Sequence, residues 1–484
     1  MGCSLIEFAS IHPTQQRREQ GLHSTVQLQK LIQLPRAMAE ADRISFLPLE
    51  IKLSILSLLR IKDAVRTSAL ARSWRHLWTH LSCLRLNSEQ DPLGETCNTP
   101  NFYFVSTSWI QRVHRLVSSL RGPFLVFQLH FSRFCIFFSH SDKCVLVQSL
   151  LDLLLQKGGV ETLDLLFFND PGKIHLPWFH SLQVLRLSRC HVALPTGFRG
   201  FHSLEILDLY EVEISNHDLN LLLHTSNNLT SLMIRYYRAL ESGNPLSVNL
   251  SFPLLRHLEF GINEFVENVT VDSSPCLEHA AIALSDADYS SQNLAKMILR
   301  LVTSVAMVSS LKLDFDVLKC FSLVTLPFNF TIPRLKFLRV YLNADTMDRR
   351  VNDAFLWLLR SVPFLEELQV EFKRDSFQAD RGSILVRELL VKKHDGFACL
   401  ERTVTSVTIY MDTYVIASIE LIQFFLLNAK GLKLLKIDYF DGGDLMPSFI
   451  EELQKVEVAS SDAKVMFFNR VTDQITNLCL NDSN

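Results

Sequence analysis

A pattern of apolar residues, L-x-x-L-x-L, recurs along this chain and limits its fold more than any other feature. It is met at Leu182, Leu185 and Leu187, then at Leu204, Leu207 and Leu209, at Leu229, Leu232 and Ile234, and at Leu255, Leu258 and Phe260. A copy at Val160, Leu163 and Leu165 comes before them, and Leu277, Ala280 and Ile282 form the weakest copy. Later copies are Val308, Leu311, Leu313; Leu335, Leu338, Val340; and Leu365, Leu368, Val370. The starts at 160, 182, 204, 229, 255 and 277 step by 22, 22, 25, 26 and 22 residues, and later steps widen to between 27 and 31. A short strand with a return segment cannot bury its own apolar edge, so such units must stack into a continuous core.

This is leucine-rich-repeat spacing. Asn or Cys is favoured three residues past the last apolar position, where it satisfies turning backbone; Cys190, Asn263 and Asn343 fall there. The wider later steps call for longer connections. Residues between the leucines point out of the sheet by strand alternation. Among them Arg186, Asp208, Tyr210, Arg235, Lys312, Arg339, Tyr341 and Glu371 are candidates for gripping a protein target, since mixed charge and aromatics suit such a surface. The plainer alternative for each is a solvated sheet face.

The composition of 484 residues with 48 basic and 51 acidic side chains gives a formal charge of −3, which builds no field for nucleic acid. No stretch reaches the ~18 apolar residues that span a bilayer. The N-terminus lacks the order of a signal peptide. The ten cysteines include no C-x-x-C pair, which suits a reducing compartment, the cytoplasm or the nucleus. No nucleotide loop, zinc helix or nucleophile elbow is present. His257 and His279 hold equivalent places in neighbouring repeats, a pairing more often structural than metal-binding. No enzyme, cofactor or metal is expected.

Before the repeats, Pro48 suits the first turn of a helix carrying Ile51, Ile55, Leu58 and Leu59 on one side, with Glu50, Lys52, Ser54 and Ser57 on the other. Asp63 is placed to cap a second helix with Val65, Ala69 and Leu70, and Trp74, Leu77, Trp78 and Leu81 suggest a third. Three such helices bury little alone. The run from Asp42-Arg43-Ile44-Ser45-Phe46-Leu47-Pro48, through Lys62-Asp63-Ala64-Val65-Arg66, to Ser73-Trp74-Arg75-His76-Leu77-Trp78 and Leu84-Arg85-Leu86 resembles the plant F-box. The resemblance implies binding of the Skp adaptor, and through it cullin, by Leu47, Pro48, Ile51, Ile55, Leu56 and Val65. Leu49 stands where the family usually has an acid, which implies a weaker polar contact at the helix start. Because the family commonly starts just ahead of this run, Met38 is a candidate first residue.

Cys399-Leu400-Glu401 and the segment Phe425-Leu426-Leu427-Asn428-Ala429-Lys430-Gly431-Leu432 are similar to the FBD domain that follows the repeats in plant F-box proteins. The expected layout is an extension at 1–41, the F-box at 42–83, repeats at 84–395, an FBD-like cap at 396–470 and a polar tail at 471–484. A polar connection is expected at 374–397 and a helix at Pro447 to Lys455. The fold class is α/β: a three-helix module, then a solenoid with parallel strands on one face, then an α/β C-terminal domain. The implied function is the substrate-receptor subunit of an SCF-type ubiquitin ligase, with a protein target and neither nucleic acid nor membrane as partner. A ligase-independent scaffold is the alternative, and a small-molecule receptor fits poorly because the arginines are dispersed.

Overall fold

A computed structural model describes residues between 44 and 478, leaving out 45, 89–106, 132–139, 168–171, 240–245, 264–265, 273, 285–290, 315–316, 344–348, 374–395, 412–415, 441–452, 454–455 and 457. The expected extension at 1–41, the start of the F-box run at 42–43, most of the 374–397 connection and nearly all of the Pro447 to Lys455 helix lie outside the described residues.

One sheet carries the molecule. Its fifteen strands run in chain order: Cys83–Asn87, Val126–His130, Thr162–Leu166, Val184–Ser188, Ile206–Tyr210, Ser231–Arg235, His257–Ile262, His279–Leu284, Ser310–Leu313, Phe337–Asn343, Glu367–Lys373, Ser406–Met411, Leu434–Tyr439, Lys464–Asn469 and Gln474–Leu478. Every pairing is parallel except the last. The architecture is the expected α/β one: short N-terminal helices, an open solenoid and an α/β C-terminal part.

The repeat leucines set the register. Leu163, Leu185, Leu207, Leu232 and Leu258 stand opposite one another in turn, and the column continues through Leu311, Leu338, Leu368, Val407, Leu435 and Val465. All are buried. Each buried leucine contributes about 2 kcal/mol of apolar burial. A slip by one residue would turn the whole column to solvent, so the register is strongly held.

Two earlier strands carry the pattern ahead of the copy at Val160. Leu81, Leu84, Leu86 and Phe124, Phe127, Leu129 obey the same spacing, and all six are buried. Leu81 belongs to the end of the helical module as well, so the two parts share one core.

The change in repeat length has a structural cause. Behind the 162–239 region lie short parallel strands, Lys173–His175, His191–Ala193, Glu213–Ile214 and Arg238–Ala239, with one helix, Asn216–Thr225. Behind the later strands lie helices instead, including Gln292–Ser304, Arg349–Arg360 and Ile416–Asn428. Asn263, in the expected turn slot, is buried and donates its side-chain amide to the Tyr237 carbonyl of the preceding repeat. Gly200 is needed where it stands: its φ is +106°, and an added Cβ would fall 2.3 Å from that of Thr225.

The C-terminus differs from the expected polar tail. The Asn469 side chain accepts from the Val471 and Thr472 amides (2.9 and 3.4 Å), turning the chain so that Gln474–Leu478 returns antiparallel to Lys464–Asn469. Main-chain pairing there makes up for a lack of apolar residues.

Candidate functional site

Two surfaces compete for attention, and the first is the helical module. Its opening helix, Leu49–Ser57, starts after Pro48, whose carbonyl accepts from Lys52 N at 3.1 Å; Glu50 in the first turn complements the positive helix end. The second helix, Ile61–Arg66, begins after Arg60, whose carbonyl accepts from the Asp63 and Ala64 amides at 2.9 Å. Asp63 is thus inside the first turn and not the cap. There it lies 3.7 Å from Arg60 and 3.4 Å from Arg66.

The expected second helix stops at Arg66 and passes into a 3-10 turn, Thr67–Ala69, and the expected third helix is two 3-10 turns, Arg72–Trp74 and Leu77–His80. Ser73, Trp74, Trp78 and Thr79 are weak helix formers, and Ala71 and His76 leave helical backbone angles. The stripe still works, because Trp74 and Leu81 are buried against Leu56, Ile61 and Ala64.

The polarity of the first helix is the reverse of an ordinary surface helix. Lys52 (8% exposed) and Leu56 (0%) face inward, with the Lys52 ammonium 5.8 Å from the centre of the Trp74 ring. Ile55 (36%), Leu58 (85%) and Leu59 face outward, and Ile51 is half-buried. Of the residues expected at an adaptor contact, Pro48, Ile55 and Val65 are exposed and Leu47 and Ile51 are half-buried. Leu56 is a correction. It lies one turn from Lys52 on the inner side and belongs to the core, so it cannot touch a partner directly.

Sequence reasoning missed other exposed members: Ile44, Phe46, Leu49 and Leu70. Leu49 carried a signal, as an apolar residue where an acid is usual. Beside the end of this helix, a cleft of about 320 Å³ is lined by Leu58, Leu59, Arg85, Gln128 and His130.

The second surface is the outward face of the sheet. The eight residues expected there fall into two groups. Asp208, Tyr210 and Arg235 stand with Arg186 on neighbouring strands, and Lys312, Arg339, Tyr341 and Glu371 form the other group. Three strand spacings, about 14 Å, separate the nearest strands of the two groups. Between them the sheet presents Glu259, Gly261, Ala281 and Ala283.

Within each group one arginine is already paired with a carboxylate. Arg235 lies 2.8 Å from Asp208 and 4.0 Å from Glu259, with its guanidinium 5.4 Å from the Tyr210 ring centre. Burial disfavours its charge, but Asp208 and Glu259 overcome this and leave its pKa above the usual value. Arg339 repeats the design, 2.7 Å from Glu371 and 5.2 Å from the Tyr341 ring centre. Tyr341 is buried, and burial followed by the Glu371 charge pushes its phenol up.

Further residues of this face were not foreseen. Tyr236 packs edge-on against Tyr210 at 5.5 Å, and burial, then Asp314, pushes its phenol up to about 12. Arg189, Glu211 and Tyr236 each follow a strand with positive φ (56°, 51° and 54°), a turn that non-glycine residues rarely adopt. Their equal place in successive repeats was the available signal. Toward the C-terminus, Lys436 and Arg470 both bind Asp438. His257 and His279 stack at 4.6 Å with an interplanar angle of 17°. No cluster among the described residues could hold a metal ion, and no described helix is long and apolar enough to cross a membrane. These paired ions and rings give the outward face of the sheet mixed charge and aromatic surface.

A parallel solenoid fronted by a small helical module with bare apolar side chains defines a leucine-rich-repeat protein with an added N-terminal helical domain. Comparison with known proteins narrows this. Residues 44–86 match the F-box domain, and residues 147–370 match the family described as "FBD-associated F-box protein At5g56370, LRR repeats". The chain belongs to the plant F-box/FBD/LRR-repeat family, a non-catalytic adaptor type.

It is similar to the F-box/FBD/LRR-repeat protein At1g13570 of Arabidopsis thaliana, 26% identical over 246 residues, which are 50% of this chain and 54% of that protein. The match therefore spans about half the length of that relative. Similarity to the Arabidopsis thaliana F-box/FBD/LRR-repeat protein At3g26920 is 24% over 461 residues, 89% of this chain and 98% of that one. The Arabidopsis thaliana F-box protein At1g60400 is 47% identical over 51 residues, 10% of this chain and 13% of that one.

Proposed function

We propose that this chain is the substrate receptor of an SCF-type cullin-RING ubiquitin ligase, working in the cytoplasm or nucleus. The F-box binds the Skp adaptor, and the outward face of the sheet holds a protein target. Residues 396–470 act as an FBD-like cap. The chain makes and breaks no bonds; it tethers a target near the charged conjugating enzyme and so raises its effective concentration.

The observation that carries this reading is the outward apolar side of the Leu49–Ser57 helix, which the protein's own sheet leaves uncovered. Adaptor burial of Ile55, Leu58 and Leu59 removes a standing cost of exposed hydrocarbon. The test is capture of purified Skp adaptor by the full chain. Wild type retains adaptor, and an Ile55→Asp/Leu58→Asp variant of unchanged melting temperature loses it. Equal capture by both, or none by either at micromolar concentration, defeats the proposal.

One observation favours a second reading, a ligase-independent scaffold. Leu49 is exposed at the helix start, where an acid would make the polar contact implied for the family. Failure of capture that Leu49→Glu restores would support it.

A further inference from the structure

A solenoid has two open sheet edges, and each must be covered or otherwise protected. At the N-terminal edge, the helix Ile61–Arg66 packs against the strand Cys83–Asn87. At the other, Gln474–Leu478 is the outermost strand, and among the described residues no further strand pairs with it. Gln474, Ile475, Thr476 and Asn477 are all exposed, with Ile475 at 58%. The usual defences of an edge are missing. None of its five residues is charged, none is proline, and its pairing with Lys464–Asn469 runs without a bulge.

We infer that this edge pairs with its counterpart in a second copy of the chain, antiparallel about a two-fold axis through Thr476. The strand's own sequence favours this occupant. In that register Gln474 faces Leu478 of the second copy, Ile475 faces Asn477, and Thr476 faces Thr476, a favourable cross-strand pair. No charge meets its like, because the strand has none. Phe468 stands opposite Ile475 within one chain, both on the outward face. The two-fold makes the two Ile475 side chains diagonal neighbours, so they and the two Phe468 rings line up across the join. Val471, exposed in the hairpin turn, lies near the other copy's Leu478. The result is one continuous sheet with an F-box at each far end. A contact this short is smaller than a permanent interface, so the association is reversible and depends on concentration.

The test is sedimentation equilibrium of the full chain over a micromolar series, without adaptor, so that its outcome is separate from the ligase reading. Wild type rises toward twice its monomer mass. Ile475→Lys and Asn477→Asp each place like charges diagonally across the axis and weaken self-association by about tenfold. An equimolar mixture of these two variants recovers the dimer, since Lys at 475 then faces Asp at 477. Both positions are exposed, and circular dichroism checks that the fold is kept. A wild type that stays monomeric, variants that associate as wild type does, or a mixture that fails to recover overturns the inference. So does a monomer that instead co-purifies with an unrelated extended chain on this edge.

Discussion

The first helix and the outward face of the sheet solve exposure in opposite ways. On the helix, Leu58 and Ile55 point into water while a lysine is folded inward. On the sheet, charges find counter-ions within the same chain, as Arg235 with Asp208 and Arg339 with Glu371. The helix therefore gains from any partner that covers it, through loss of apolar surface alone. The sheet gains only from a partner that replaces or extends hydrogen bonds already made. Under the proposed function, the first surface would serve a tight, general contact and the second selectivity.

Several experiments would break or sharpen that contrast. The largest effect is expected from Leu56→Ala, which empties a fully buried site and should cost about 2–5 kcal/mol in urea unfolding. Leu58→Ala, two residues away, should change stability by no more than about 0.5 kcal/mol. A comparable loss from both would mean that Leu58 is packed and the helix is not offering it to a partner.

Next comes Arg235→Ala, which leaves Asp208 and Glu259 half-buried without their shared cation. A loss of about 1–3 kcal/mol is expected, against about 0.5 kcal/mol or less for Arg186→Ala, for which no ion pair is formed among the described residues. Equal losses would show that the pairing is not what holds this face.

The smallest effect concerns the histidine stack. Burial first, then His279 and Arg256, lower the His257 pKa from its usual 6.5, while Glu278 acts the other way; Ser231 faces His257 on the other neighbouring strand, and Ser310 faces His279. The folded state thus binds fewer protons than the unfolded chain, so stability is complete above pH 6.5 and declines as pH falls below it. His279→Gln should flatten this acid-side slope in melting curves between pH 7 and about 5. An unchanged slope would remove His257 from the account.

Most of the fold was legible because L-x-x-L-x-L ties each buried residue to a fixed strand position. Leu277, Ala280 and Ile282 show its reach: even a copy with alanine at its centre forms a strand. The two earliest strands were harder, as Phe124 and Phe127 replace leucines and long connections separate the copies. The site was less readable. Periodicity gave the apolar stripe of the first helix but not which side faced the core, because Lys52 lies inward over Trp74 where a hydrocarbon would be expected. Ion pairs between repeats, such as Arg470 on Asp438, join residues about thirty positions apart and leave no local mark.

The switch behind the sheet from short strands to helices has a geometric consequence. Neighbouring strands advance by about 4.8 Å, whereas packed helices need 8–10 Å. Over residues 173–239 the short rear strands keep equal pace with the front ones, which favours a straighter run there. Beyond residue 292 the rear layer is wider than the front, and the solenoid must arch with its strands on the inner side. The flatter stretch thus falls in the middle of the repeats, and the more cupped one toward the C-terminal end.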